Sequence, residues 1–278
     1  MKIPLILVVL FIGVGALSAE DQARAKTTAG VEPLENPVWA GENNAGDTSW
    51  AGEYLLKYHL GGMKMNLNPK MRFTCDDYGC LGLMDQNHGS LTWSNGILHL
   101  TFDLKNDGPW YAGKNNEFIP VPWGERHYLI PSDEIVQFCN RVNQGRDQVL
   151  FFLREGDEKK PANGLPKIPE AFKPYLLKKP VEARIVSVGT FTNGLTRADW
   201  KFKEIPITIN AGKSQGLLPS MELWATGEHF FGRLEIQVVS DNESVCIVDG
   251  VEEEIPQLKV VSVSSLAPWN KLKKESAK

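Results

Sequence analysis

Residues Leu91–Leu104 read LTWSNGILHLTFDL. Asn95-Gly96 is the dipeptide preferred by a two-residue hairpin turn, because both central positions take positive φ. After it, Leu98, Leu100 and Phe102 alternate with Ile97, His99 and Thr101. A period of two puts the first set on one face of a half-buried strand and the second on the other. The stretch therefore predicts a tight antiparallel hairpin, and it sets the chain in the mainly β class.

The same pattern continues upstream. Tyr54, Leu56, Tyr58 and Leu60 alternate with Leu55, Lys57 and His59, and Met63, Met65 and Leu67 alternate with Lys64 and Asn66. Asn68-Pro69-Lys70 marks a turn, after which Met71, Phe73 and Cys75 share a face. His88 falls in Asn-His-Gly, which also reads as a turn.

Downstream, EFIPVPWGERHYLIP over residues 117–131 predicts a second hairpin, with Pro120 and Pro122 placing one strand at a sheet edge. One helix is expected, from about Asp133 to Asn143. Ile135, Phe138, Cys139 and Val142 form its apolar stripe. Ser132 is its expected cap, Asp133 and Glu134 face the positive dipole end, and Gly145 ends it. QVLFFLR, residues 148–154, is a further strand.

The chain of 278 residues exceeds one average domain, so two are expected. Residues 49–155 form the first, a β-meander or partial barrel with a packed helix over 133–144. Residues 156–180 are rich in Pro and Lys and read as an irregular connection. Residues 181–269 hold several short strands, which suggests a small β-barrel. Residues 270–278 form a charged tail.

The N-terminus, MKIPLILVVLFIGVGALSA, places one Lys before a short apolar run that ends in small residues. That order predicts a secretory signal over residues 1–18, followed by a disordered arm over 19–48. The run is short for a membrane span. Loss of Lys2 with the signal takes the formal charge from −4 to −5. The balance argues against a nucleic-acid groove, which needs clustered positive charge, and no stable membrane insertion is expected after signal removal. The expected location is periplasmic or secreted.

Four cysteines, Cys75, Cys80, Cys139 and Cys246, enter an oxidising compartment on this reading, and an even count there favours disulfides. If Asp76–Gly79 forms a loop, Cys75 stands opposite Cys80. If the helix packs on the sheet, Cys139 is an equal partner for Cys80. A zinc site needs a second ligand pair at short spacing, and none is present, so no metal and no cofactor are expected. Ala211–Gly216, AGKSQG, contains Gly-Lys-Ser, but the phosphate-loop glycine five residues earlier is replaced by Ile207. It reads as a turn. Asn242-Glu-Ser is a glycosylation acceptor only in a eukaryotic host.

The surface singled out as a ligand candidate is the aromatic hairpin from Trp110 to Tyr128. Trp110, Tyr111, Trp123, Arg126 and Tyr128 interleave rings with polar donors, as a sugar- or peptide-binding platform would. The plainer reading, in which the rings pack against the barrel and helix, is preferred. A glycosidase would need two carboxylates facing each other across a cleft. Asp103, Asp107, Glu117 and Glu125 are candidates, but nothing in the sequence brings two of them together. No catalytic residue is assigned.

Gly52-Glu53-Tyr54 and Gly79-Cys80-Leu81-Gly82 resemble the opening GxY strand and GCLG segment of lipocalin-like β-meanders in exported bacterial proteins. VPWGERHYLIPSDEIVQFCN, residues 121–140, is similar to a stretch of uncharacterised exported bacterial proteins. ITINAGKSQGLLPSMELW through GRLEIQVVSDNESVCIV resembles the small β-barrels of envelope proteins in the flagellar ring and cell-shape machinery. The resemblance carries no activity; the reading it fits is an exported, non-enzymatic binding or structural protein that binds an envelope protein or cell-wall component through the edge of the second barrel or the aromatic hairpin. The alternative is a carbohydrate-binding or carbohydrate-active protein that uses the aromatic hairpin.

Overall fold

The computed structural model describes residues 48–104, 115–146, 150–190, 192–197, 200–227, 231–250 and 262–268. The expected signal, nearly all of the arm, Trp110, Tyr111 and the charged tail lie outside them. The hairpin at Asn95-Gly96 forms as read, with φ of 52° and 80° at its two central residues. It joins β4 (Gly82–Ser94) to β5 (Ile97–Phe102). These strands belong to a closed barrel completed by β1 (Gly52–Tyr58), β2 (Gly61–Asn68), β3 (Arg72–Gly79), β6 (Glu117–Trp123), β7 (Arg126–Pro131) and β8 (Phe152–Arg154). Each strand pairs antiparallel with the next, and β8 returns to β1. The expected meander is thus a complete eight-stranded barrel. Closure does not remove the edge expected at the prolines. β6 pairs with β5 only at Glu117 and Phe118, and Pro120 and Pro122 sit beyond that contact.

The barrel interior is solid. Tyr54, Leu56, Met63, Met65, Leu67, Phe73, Cys75, Leu91, Leu98, Leu100, Phe118, Leu129 and Phe152 meet there in one buried cluster. These are the residues of one face of each alternating strand. The sequence departs from alternation at β6 and β7, and the reason is physical: both of their faces are covered. Phe118 and Leu129 point inward, whereas Ile119, Val121, Trp123, Tyr128 and Ile130 pack outward against a second cluster. That cluster includes Ile135, Phe138 and Cys139 of α1 (Ile135–Asn143). Phe138 sits among the rings of Trp123, Tyr128 and Phe151 at centroid distances of 6.0, 5.7 and 5.7 Å. Such ring pairs each add about 0.5–1.5 kcal/mol beyond area burial.

Three local expectations are corrected. The turn between β3 and β4 is Cys80-Leu81, not Asp76–Gly79: Gly79 pairs with Gly82, and Cys75 stands opposite Asn87. Asp77 enters the barrel as a buried strand residue because the Tyr58 hydroxyl donates to its Oδ1 at 2.6 Å. Asn87-His88-Gly89 is mid-strand in β4 rather than a turn. A Cβ on Gly89 would lie 1.9 Å from the Thr101 carbonyl oxygen and 2.9 Å from the Phe73 ring, so the glycine serves close strand packing. Finally, Ser132 does not cap α1. Residues Ser132–Glu134 form a 3-10 turn, and the Ser132 hydroxyl donates to Glu117 Oε2 at 3.2 Å.

The second half of the chain forms a six-stranded closed barrel. Its strands are β9 (Glu182–Val188), β11 (Trp200–Ile209), β12 (Glu222–Thr226), β13 (Phe231–Val239), β14 (Ser244–Gly250) and β15 (Ser262–Ser264). β10 (Thr192–Arg197) is added to the outer half of β11. Ile205, Ile207, Ile209, Met221, Leu223, Leu234, Ile236, Cys246 and Val248 are among its core residues. The two barrels meet through α1. The buried Asn140 donates from Nδ2 to the Ser220 carbonyl at 3.0 Å, and its Oδ1 accepts from the Glu222 N–H at 3.1 Å. Gln144, also buried, donates to Glu222 Oε2 at 3.0 Å.

Candidate binding surface

The barrel seam is where the first domain opens. β1 and β8 pair only at Tyr54 with Arg154 and at Leu55 with Leu153. β8 is three residues long, and it pairs with β7 only at Tyr128 and Leu129. Beyond Leu55 the two sides diverge. Among the described residues, no strand pairs with Leu56 or Lys57 on that side. The gap is a cleft of about 340 Å³ lined by Leu56, Lys57, Tyr58, Pro131, Leu150 and Phe151. A second opening of about 340 Å³ shares Leu56, Lys57, Leu150 and Phe151 and reaches Arg126 and Tyr128. Volumes of this order hold a few side chains of a ligand.

The cleft runs into an apolar barrel end. Leu150 is 80 % exposed, Leu60 64 % and Leu81 83 %, with Tyr58, Tyr78 and Met84 partly exposed beside them. Two glycines allow the crowding. Gly61 lets the Tyr78 carbonyl and the Tyr58 ring approach its Cα, and Gly79 leaves room for the Met84 side chain. Tyr58 and Tyr78 turn their hydroxyls to Asp77 and Asp76, and both side chains stay partly exposed. Burial and the Asp77 bond raise the Tyr58 phenol well above its usual pKa, which keeps it a neutral donor.

Of the residues singled out from sequence, Trp123, Arg126 and Tyr128 lie among the described residues. Trp123 is buried, and its Nε1–H donates to the Gly164 carbonyl at 2.9 Å. Tyr128 is buried against Phe138. Arg126, also buried, donates to the carbonyls of Lys160 and Glu158 and to the Tyr128 hydroxyl. These three hold the 155–164 segment on the outer face of β7 and present no ring platform to solvent. Asp157 completes that anchor. Its carboxylate accepts from the His127 N–H and Nδ1, each at 2.8 Å, and from Lys160 Nζ at 2.5 Å. Burial alone would raise this carboxyl, but the bonds from Lys160 and His127 outweigh it and hold the pKa below the usual carboxylate value.

The four cysteines are free, and no pair lies at disulfide distance, so neither expected partner of Cys80 is bonded to it. Cys75 points into the barrel, Cys139 lies under α1, and Cys80 is exposed on its turn. Burial pushes the Cys139 and Cys246 thiols up to about 12. Among the described residues, no group of three or more His, Cys, Asp or Glu side chains is placed to hold a metal ion.

Gly212–Gly216, GKSQG, also spells the G-x-S-x-G of a nucleophile elbow, a match that a phosphate-loop reading passes over. Its serine is not set up for that role. Ser214 Oγ lies 2.8 Å from Gln215 Oε1 and 3.0 Å from Asn242 Oδ1, so its one proton is shared between those two acceptors. The Lys213 and Ser214 amides are spent on the Ser240 and Asp241 carbonyls, so they cradle no phosphate. The segment is a turn.

No protein-family model, curated protein or solved structure matches the chain.

Proposed function

We propose that this is an exported binding protein of the bacterial envelope, and that it takes an extended apolar segment of a partner protein into the β1–β8 seam. The observation that carries the reading is the parting of β1 from β8 after Leu55. It leaves a strand edge beside an apolar cleft. An extended peptide laid there would bond to the edge and place alternate side chains in the cleft, the mode of strand addition. Binding of this kind needs no catalytic group at the seam. The barrel interior, occupied by one cluster of buried side chains, supports a surface site over a lumen site. The charge-then-apolar order of the N-terminus supports export.

Selection of a random dodecapeptide display library against the full chain tests the proposal. Bound peptides are expected to alternate apolar and polar residues, to slow amide exchange at Lys57, whose N–H faces the open edge, and to lose affinity by at least about tenfold with Leu150→Glu, roughly one buried aliphatic side chain. Selected peptides that bind Leu150→Glu as well as the native chain, or that protect amides elsewhere, would remove the seam from consideration.

A further inference from the structure

The outer face of the β4–β5 hairpin carries a second constellation, independent of the seam. Ser94 is exposed at the end of β4, directly before the Asn95-Gly96 turn. Its Oγ lies 2.9 Å from His99 Nε2 on β5. The other ring nitrogen, His99 Nδ1, lies 3.3 Å from Glu117 Oε1 on β6. Glu117 in turn accepts at Oε2 from the Ser132 hydroxyl at 3.2 Å. Sheet register builds this row. Thr92 pairs with His99, so Ser94 is its diagonal neighbour, and His99 pairs directly with Glu117.

From this geometry we infer that Ser94, His99 and Glu117 form a hydroxyl–imidazole–carboxylate relay competent for acyl transfer from small activated esters. Each element has a distinct task. The imidazole has its two nitrogens divided between the hydroxyl and the carboxylate, so the Glu117 contact favours the tautomer with the proton on Nδ1 and leaves Nε2 free as base. Glu117 is a positioning residue, and Ser132 orients it. A contact of 3.3 Å is loose, as unliganded relays often are, and it tightens when the ring becomes imidazolium. The two-residue turn leaves the Asn95 and Gly96 amides outside the strand ladder. The Asn95 amide, next in the chain after the nucleophile, is the donor available to an oxyanion.

The reaction balances with water as the only co-reactant. Ser94 Oγ attacks the ester carbonyl carbon while its proton passes to His99 Nε2. The bond to the leaving alcohol breaks as that proton is returned to the departing oxygen, which leaves acyl-Ser94. Water then attacks, gives its proton to Nε2, and Ser94 leaves with that proton as the carboxylic acid departs.

The test uses the full chain with a fluorophosphonate probe and with p-nitrophenyl acetate. Peptide mapping is expected to place one phosphonyl group on Ser94. The labelling rate, recorded as a profile against pH, is expected to fall at least about 100-fold in His99→Ala, the usual scale of a lost general base. Glu117→Gln should keep labelling but shift that pH profile, which a merely structural carboxylate would not do. Ser94→Ala, a change at an exposed position, should abolish labelling and the p-nitrophenol burst while the melting temperature stays unchanged. Absence of labelling on folded native protein, or Ser94 labelling with the same rate and pH profile in His99→Ala, would overturn the inference.

Discussion

Replacing Asp157 by alanine should destabilise the first barrel by about 3 kcal/mol. The carboxylate is 1 % exposed and accepts three hydrogen bonds, two from His127 and one from Lys160. A hydrogen bond to a charged group is worth about 1.5–3 kcal/mol. The His127 and Lys160 side chains are 34 % and 45 % exposed, so water takes over part of each bond and the total is discounted to the stated value. At about 2–4 °C per kcal/mol for a chain of this size, the melting temperature should fall by about 6–12 °C. Asp157→Asn keeps an acceptor for His127 and loses only the charge, so about half that shift is expected. The pH dependence has a definite sign. The folded carboxyl titrates below its unfolded value of about 3.9, so its stabilisation is complete above that value. It is lost as the pH falls through the lower folded pKa. Melting curves by circular dichroism between pH 7 and pH 2 should therefore converge at the acid end for the native chain and the Asp157→Asn variant. A melting temperature for Asp157→Ala within about 1 °C of native at pH 7, where the bonds should count fully, would refute the assignment, since it corresponds to about 0.5 kcal/mol at most on the same scale.

Gly89→Ala should cost about 2–3 kcal/mol or more, since the new methyl meets the Thr101 carbonyl and the Phe73 ring; the urea midpoint of the first barrel measures it. Titration of the native chain with an aromatic disulfide reagent should find one fast thiol, Cys80, and four after denaturation, while reductant should leave the melting temperature unchanged. Asn140→Leu removes the bonds to Ser220 and Glu222 and should weaken the contact between barrels by about 2 kcal/mol. Calorimetry should then resolve two transitions, and a single unsplit transition at the native temperature would count against α1 as the coupling element.

Period-two alternation made β1, β2, β5 and the start of β3 legible, and the apolar stripe at Ile135, Phe138 and Cys139 made α1 legible. Reading failed where a polar or small residue does a strand's work. Asp77 looks like a loop residue because its partner Tyr58 is 19 positions away and nothing local advertises the bond. Gly89 looks like a turn because a need for close approach and a need for positive φ select the same residue. The aromatic hairpin carried two readings for a related reason. Trp123 and Tyr128 sit on the outer face of the barrel, as alternation requires, but α1 and the 155–164 segment cover that face. The seam was illegible altogether. It depends on how far β8 continues along β1, a quantity set by the barrel's closure and not by the composition of either strand.

That closure has a temporal side. Arg154 and Tyr54, which meet at the seam, are 100 residues apart in the chain. Every other pairing in the first barrel joins nearer neighbours, so strands β1–β7 can zip in order while the final contact waits for the last strand. At about 5–20 residues per second, synthesis leaves the β1 edge uncovered for roughly 5–20 s after it emerges. The ring is then fastened by two residue pairs, after the loop-closure entropy of the whole domain has been met. Until then the domain is an open, curling ribbon with one sticky margin, and the three residues of β8 are its latch.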